Sequence, residues 1–527
     1  MAAEPTANTP TPEVDPAIRL LNELTYEGVE FSVKGTHLRF KAPRGVLSPD
    51  RKRMLLECKE RLIALVRERL DHALIPAEPS PETEAVWEPY GHQATMVEDP
   101  DVRNILCLVR WQGVLDASTV QTAFEALLAR HSILRTRYAR AEDGRVLALT
   151  EKRIVVPLSI IDLRYLPPQL RESTLRRIAS RPFDLYRGPL VAHYAIRLKD
   201  DITACIVIVH HSICDAVSAA LVSDDLGAFL VAAASGSAAS LPPLPMEFRD
   251  FARERSRWLK SEEARPHVEF WHGVLSRCGS ICRLPYDRRT PPEPDFLRPG
   301  VGGRLSAEIV ASLRALAAAE KSTMSVLFSA LVAVALSQWT GSTEVTAWIC
   351  DVGRSRPELY RLVGCFVNHW LLHADLADDP DFLEVLRRVH KCHVEAARHL
   401  DVTIHRLIPE MRRSEVCTLY PALIVNFMPF ARHAGATSSS PPPARQSLSS
   451  GYSKSSPLAM DISCRESLDE LAWVVEYSSH LFEDTTAQRF SLALTAIAES
   501  VARAPRLRTS LLPPQPIAAS PDSRAPN

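Results

Sequence analysis

Residues 202–215 read "ITACIVIVHHSICD": an unbroken β-branched run, Ile206 to Val209, ends on His210 and His211, and Asp215 follows four residues after the second ring. Such a run reads as a buried strand, because β-branched side chains fit a pleated surface and nothing polar interrupts them. Ending it on two titratable rings and then a carboxylate sets a sharp condition on the fold: the strand must be covered, and its carboxyl end must still hold polar groups in fixed places. The chain has the means to cover it. At 527 residues, 46% of them hydrophobic and 24% charged, it has the composition of an ordinary globular protein and a length that predicts two to four folding units.

Sixty-two basic residues against 63 acidic ones offer polyanions no general attraction, which argues against nucleic acid or an anionic membrane as partner. The first residues lack the cationic start and apolar stretch of a signal peptide, so a cytoplasmic location is expected. The longest apolar stretch, Val326 to Leu336, falls well short of the roughly 20 residues that span a bilayer and predicts a buried helix. Eleven scattered cysteines, with one close pair at Cys278 and Cys282, give no zinc spacing and predict reduced, packed thiols and no metal site.

The amino-terminal part, residues 16–72, separates from the rest. Ile18, Leu20, Leu21 and Leu24 share one helical face that stops at Gly28. Val29, Phe31 and Val33 then alternate against Leu38, Phe40 and Ala42 across a tight turn through Lys34, Gly35 and Thr36, the signature of a hairpin. Ser48 and Pro49 open an amphipathic helical run from Asp50 to Leu70, read as two short helices. The order is α-ββ-αα. Proline-rich residues 73–84 read as a semi-rigid linker, and a large α/β (α+β) region follows, divided here at 85–257 and 258–514, with a disordered tail at 515–527. Strands are expected at "NILCLVRWQG", "RVLALTEK", "LVAHYAIRLK", "EVTAWICDVG", "PALIVNF" and "LAWVVEYS", and helices at "ASTVQTAFEALLARH", at the apolar run ending on Gly341, and at "DFLEVLRRVHKCHVEAARHL". Residues 433–456, rich in Ser and Pro, predict a loop inside the second half.

Taken alone, two histidines after a strand are weak evidence of function. In company they are not. "ARHSILRTRY", "IVIVHHSICDAVS", "FRDFARE", "LPYDRR", "LVGCFVNHW", "HLDVTIHRL" and "VVEYSSHLF" occur in the order found in the condensation domains of nonribosomal peptide synthetases, which this region resembles over nearly the whole of residues 85–514. His210, His211 and Asp215 match that family's HHxxxDG, with Ala216 where glycine is usual. The amino-terminal unit separately resembles the small docking domains of the tubulysin-synthetase type, in element order and in "GVEFSVKGTHLRFKAPRGVLSP". The resemblance implies two chloramphenicol-acetyltransferase-like lobes set in a V around a central tunnel. Two family patterns are incomplete: "AVWEPYGHQATM" is at best a remnant of the opening SxAQxRxW, and the HQDxPFE element reads His399 to His405 without its proline and glutamate.

The reaction so implied is attack of an amine on a thioester, with both groups carried on the 4′-phosphopantetheine of carrier proteins and no cofactor bound by this chain. A thioester is already activated. What the amine needs is an acceptor for its proton, and a histidine with pKa near 6.5 suits that near neutrality. By resemblance that role falls on His211, with His210 supporting the turn, and Asp215 is expected to pair with Arg135 behind the loop. Ala216, Ser218, Gly364 and Asn368 are the expected tunnel or substrate positions. Cys214, inside the loop, reads as a packed thiol rather than a nucleophile. Neither an adenylation signature nor a carrier-protein serine motif is found, so a free-standing condensation enzyme is expected, its substrates arriving on donor and acceptor carriers. The hairpin edge, with Lys34, Arg39, Phe40, Lys41 and Arg44, is expected to take an acidic C-terminal tail of an upstream synthetase by strand addition. Two other readings stand beside amide formation: acyl transfer to a hydroxyl or a soluble amine, and a catalytically inactive domain that recruits proteins. Epimerisation and heterocyclisation fit less well, because Ala219 follows Ser218 where epimerases carry tryptophan and heterocyclisation replaces the histidines with paired aspartates.

Overall fold

The computed structural model describes residues 29–34, 37–42, 47–64, 75–77, 104–141, 146–277, 284–288, 299–404, 407, 423–428 and 459–513, together with Ala17, Leu20 and Leu24. The loop at 433–456, the tail, Cys278 and Cys282, the "AVWEPYGHQATM" segment, Arg44 and His405 lie outside the described residues.

At the amino terminus, β1 (Glu30–Lys34) and β2 (His37–Lys41) form an antiparallel hairpin in which Phe31 faces Phe40 and Lys34 faces His37. Helix α1 (Pro49–Glu57) starts where the sequence places it, with Ser48 as N-cap accepting from Arg51 N at 3.3 Å, and a second helical stretch, residues 59–64, follows. Ala17, Leu20, Leu24, Val29, Leu55 and Leu62 make its small core. The linker needs a correction: β3 (Ile75–Ala77) pairs antiparallel with a strand of the larger domain. A proline is tolerated there because the strand sits at the edge of its sheet.

The chain divides into two compact units, the first comprising residues 1–79, 104–253 and 358–365 and the second 80–103, 254–357 and 366–527. In the first, β4 (Asn104–Gln112) leads to helix α2 (Ala117–Arg130), which is capped by Asp116 accepting from Thr119 N at 2.8 Å. There follow β5 (Thr136–Arg140), β6 (Val146–Thr150), β7 (Leu158–Asp162), α3 (Pro168–Ala179), β8 (Val191–Lys199), β9 (Ile202–His210) and α4 (Ala216–Ser235). Two sheets result, in the orders β4-β9-β8-β7 and β3-β6-β5. β9 lies inside the first of them, antiparallel to both neighbours and buried from Thr203 to His210, as its β-branched run requires. By length and composition α4 is apolar enough to cross a bilayer. Here it packs on α2 and β4, and its Ser223 hydroxyl accepts from Leu108 N at 3.2 Å, which satisfies a backbone donor of β4.

Helix α5 (Phe248–Leu259) carries the chain from the first unit to the second, a few residues before the division at 257 read from the sequence. The second unit contains α6 (Arg265–Arg277), β10 (Gly300–Leu305), α7 (Ala307–Ala319), α8 (Met324–Thr340), β11 (Glu344–Asp351), β12 (Asn368–Asp375), α9 (Phe382–Ala397), β13 (Leu423–Met428), β14 (Met460–Glu466), β15 (Leu471–Tyr477) and α10 (Asp484–Arg503). Its strands form one mixed sheet, β10-β15-β14-β13-β11-β12. α8 is apolar on every side and accordingly buried almost throughout, ending at Gly341 with φ +70°.

Candidate functional site

The candidate site grows from the end of β9. His210 is its last residue, paired across from Asn104, and its N–H donates to Leu190 O at 2.9 Å. The chain then makes one tight turn, His211–Ile213, before Asp215 starts α4. The His210 ring folds back under this turn: Nδ1 accepts from Ser212 N at 3.2 Å and lies 2.8 Å from Ser212 Oγ, with Phe183 edge-on at 6.4 Å. Because Nδ1 accepts, Nε2 carries the proton of the neutral ring. Tyr138, buried on β5, donates its hydroxyl to Ser212 O at 3.2 Å from the other side. The expected supporting role of His210 thus has a concrete form. His211, half-buried, stands at the head of the turn with Nδ1 3.9 Å from Cys365 Sγ.

Asp215 is a helix cap. Its Oδ1 accepts from Ser218 N at 2.7 Å, and the carboxylate sits at the positive end of the α4 dipole. The expected ion pair with Arg135 is not made. The Arg135 guanidinium instead donates to the carbonyls of Leu128, Ala129 and Glu151, the first two in the last turn of α2. A cation next to those unpaired carbonyls completes the helix end, and this use of the arginine is local in sequence. Ala216 is the first residue of α4 and is exposed, where a helical backbone needs no glycine.

Ser218 and Gly364 are structural rather than substrate-lining. Ser218 is fully buried; its Oγ donates to Gly364 O at 2.7 Å and accepts from Gly364 N at 3.0 Å, a reciprocal pair across 146 residues of chain. A Cβ on Gly364 would stand 2.0 Å from the Phe248 ring, so the glycine is needed for close approach. Asn368, in the second unit, is likewise buried: Nδ2 donates to Leu400 O at 2.6 Å and Val402 O at 3.2 Å, and Oδ1 accepts from His369 N at 2.8 Å. These amide bonds hold a loop to β12.

Further along α4 lies a cluster that the sequence did not announce. Asp225, buried on α4, accepts from Arg130 Nε at 2.8 Å and lies 2.9 Å from His131 Nε2, with Arg361 Nη2 at 3.5 Å. Burial pushes its carboxyl up, but the hydrogen bonds from His131 and Arg130 outweigh this and hold it below the usual carboxylate range. His131 stands in the quoted "ARHSILRTRY", yet its partner is 94 residues away and no local pattern names it. Cys214 is wholly buried and its thiol is pushed well up, first by that burial and then by Cys107, in line with a packed thiol. Among the described residues no group of three His, Cys, Asp or Glu side chains is placed to hold a metal ion.

On the hairpin, Arg39, Phe40 and Lys41 are exposed, Phe40 retaining 44% of its accessible surface with its ring centroid 6.2 Å from that of Phe31. Lys34 ends β1.

A mixed α/β domain whose buried central strand ends in an HHxxxD loop capping the next helix is the class that fold and site define. The comparisons with known proteins name it. The family model for the condensation domain matches residues 95–513, and that for the TubC N-terminal docking domain matches residues 18–68. The chain belongs to the condensation-domain family of nonribosomal peptide synthesis, with a docking domain at its amino-terminal end. It is 30% identical over 417 residues to phosphinothricin tripeptide synthetase PhsC of Streptomyces viridochromogenes, a match covering 78% of this chain and 38% of that protein. Against chondramide synthase cmdD of Chondromyces crocatus the identity is 26%, over 75% of this chain and 10% of the relative. The chain thus spans well under half the length of these relatives. Among solved structures, the X-domain from teicoplanin biosynthesis superposes with a TM-score of 0.69 at 23% identity, covering 83% of this chain and 97% of that one. The EpoB cyclization-docking bidomain of Sorangium cellulosum gives 0.63 at 19% identity over 93% of this chain and 98% of its own. At such identities these structures establish the fold alone, a mixed α/β domain like theirs.

Proposed function

We propose that this chain joins an acyl or peptidyl group, held as a thioester on a carrier protein, to an amine, with His211 accepting the proton that the amine loses. The observation that carries the reading is the contrast between two adjacent rings in a condensation-family chain. His210 is buried and serves the turn, while His211 is half-exposed at its head. As the amine nitrogen bonds to the thioester carbon, its proton passes to the imidazole and the phosphopantetheine thiolate leaves. A positioned base of this kind contributes on the order of 10²- to 10⁴-fold in rate. The docking domain brings the chain to an upstream synthetase by pairing the hairpin edge with an acidic tail, and donor and acceptor arrive on carrier proteins.

The test is intact-protein mass spectrometry of a loaded donor carrier mixed with the chain and, in parallel, a carrier-bound amine, a soluble amine and a hydroxyl acceptor. Amide product on the carrier-bound amine, lost in His211→Ala at unchanged melting temperature, supports the proposal. Product only on the hydroxyl or the soluble amine replaces it with the wider acyl-transfer activity. No product with any acceptor, or undiminished turnover in His211→Ala, overturns it.

A further inference from the structure

Residues 358–365 come from the second half of the sequence yet belong to the first unit. They are fastened to α4 by the reciprocal bonds of Gly364 with Ser218, with Arg361 Nη2 3.5 Å from Asp225 and Leu359, Leu362 and Val363 buried between and beside these points. The last residue of this strap is Cys365, itself fully buried, with Sγ 3.9 Å from Nδ1 of His211. A side chain held by so many fixed neighbours does not wander, so the sulfur is a stationary partner for that nitrogen.

We propose that Cys365 is a positioning residue for His211: its sulfur accepts the Nδ1–H and so holds the ring in the tautomer that leaves Nε2 with its lone pair. The inference rests on the base role given to His211 above. A neutral imidazole carries one N–H, and the nitrogen that bears it cannot take a proton. His210 is held in the opposite tautomer, with Nδ1 accepting from Ser212 N. Two consecutive rings on one turn therefore need opposite proton placements, and the sulfur of Cys365 lies on the Nδ1 side of the His211 ring. Sulfur is a weak acceptor, which suits setting a tautomer more than shifting a charge.

The test reads the tautomer directly. The full chain, labelled with ¹⁵N-histidine, is examined by two-bond ¹H–¹⁵N correlation, with the His211 signals assigned by their loss in His211→Ala. Wild type is expected to show the Nδ1–H form. Cys365→Val keeps the packed volume without an acceptor, and the Nε2–H form should appear. Cys365→Ser, which keeps an acceptor, should retain mainly the Nδ1–H form. In the condensation assay Cys365→Val should lower kcat by roughly 10-fold with KM unchanged, far less than the ~10⁴-fold that a wrong tautomer costs where the partner is a carboxylate. An Nε2–H form in the wild type, or an Nδ1–H form that survives in Cys365→Val, overturns the proposal. The spectra require no turnover, so a failure of the base role, seen as an active His211→Ala, is distinguishable from a failure of this one.

Discussion

Replacing Asp225 by alanine should destabilise the first unit strongly and with a defined pH dependence. The carboxylate side chain is 3% exposed, and its partners Arg130 and His131 are 14% and 1% exposed, so the carboxylate and the imidazole are desolvated and the guanidinium largely so. Breaking a buried pair from one side costs about 3–5 kcal/mol, because a charge is left without compensation. Arg361 adds little, being 45% exposed at 3.5 Å. For a folding unit of about 150–250 residues, 2–4 °C per kcal/mol converts this to a fall of roughly 6–20 °C in melting temperature. The folded-state pKa of Asp225 is depressed, so its contribution is present above the unfolded value near 3.9 and is lost as pH falls through the folded one. Thermal melts at a series of pH values should therefore show a constant gap between wild type and Asp225→Ala from pH 7 to about 5, closing below about pH 4. Asp225→Asn, which keeps the volume and one acceptor oxygen, should melt between the two. A variant melting within a degree of wild type at neutral pH, or a gap that widens on acidification, would refute the reasoning.

Three further outcomes follow from the same geometry. Asp215→Ala removes the cap of α4 and should cost about 0.5–2 kcal/mol in chemical denaturation through that bond alone, most of it recovered by Asp215→Ser; equal stability of the alanine variant would dismiss the capping role. Gly364→Ala drives a methyl into the Phe248 ring and should cost about 1–3 kcal/mol, and a double-mutant cycle with Phe248→Ala should show positive coupling rather than additivity. Charge reversal at Arg39 and Lys41 should weaken capture of an acidic synthetase tail, and added salt should do the same to wild type; binding indifferent to both would remove electrostatics from the docking account.

Elements whose signal is local were legible in the chain. The strand ending at His210, the cap at Ser48, the all-apolar helix stopping at Gly341 and the hairpin register from Phe31 to Phe40 each depend on residues within a turn or a pleat of one another. The resemblance to condensation domains was also a matter of local motifs in order. What stayed hidden was every relation set by chain crossing. Arg135 and Asp215 looked like partners as motif residues, but the nearer carbonyls of α2 satisfy the guanidinium first. Ser218, Gly364 and Asn368 looked like substrate positions, because a polar residue or a glycine inside a motif has the same one-dimensional signature whether it meets a ligand or a distant backbone. Residues 75–77, inside the proline-rich stretch 73–84, gave no pattern that distinguishes an edge strand from a linker, since the hydrogen bonds come from β6. The sequence by itself determined which elements form and which histidines end the buried strand. Only the tertiary structure decided which polar groups satisfy one another, because that choice is made by partners such as Asp225 with His131, 94 residues apart, whose approach depends on how the layers pack.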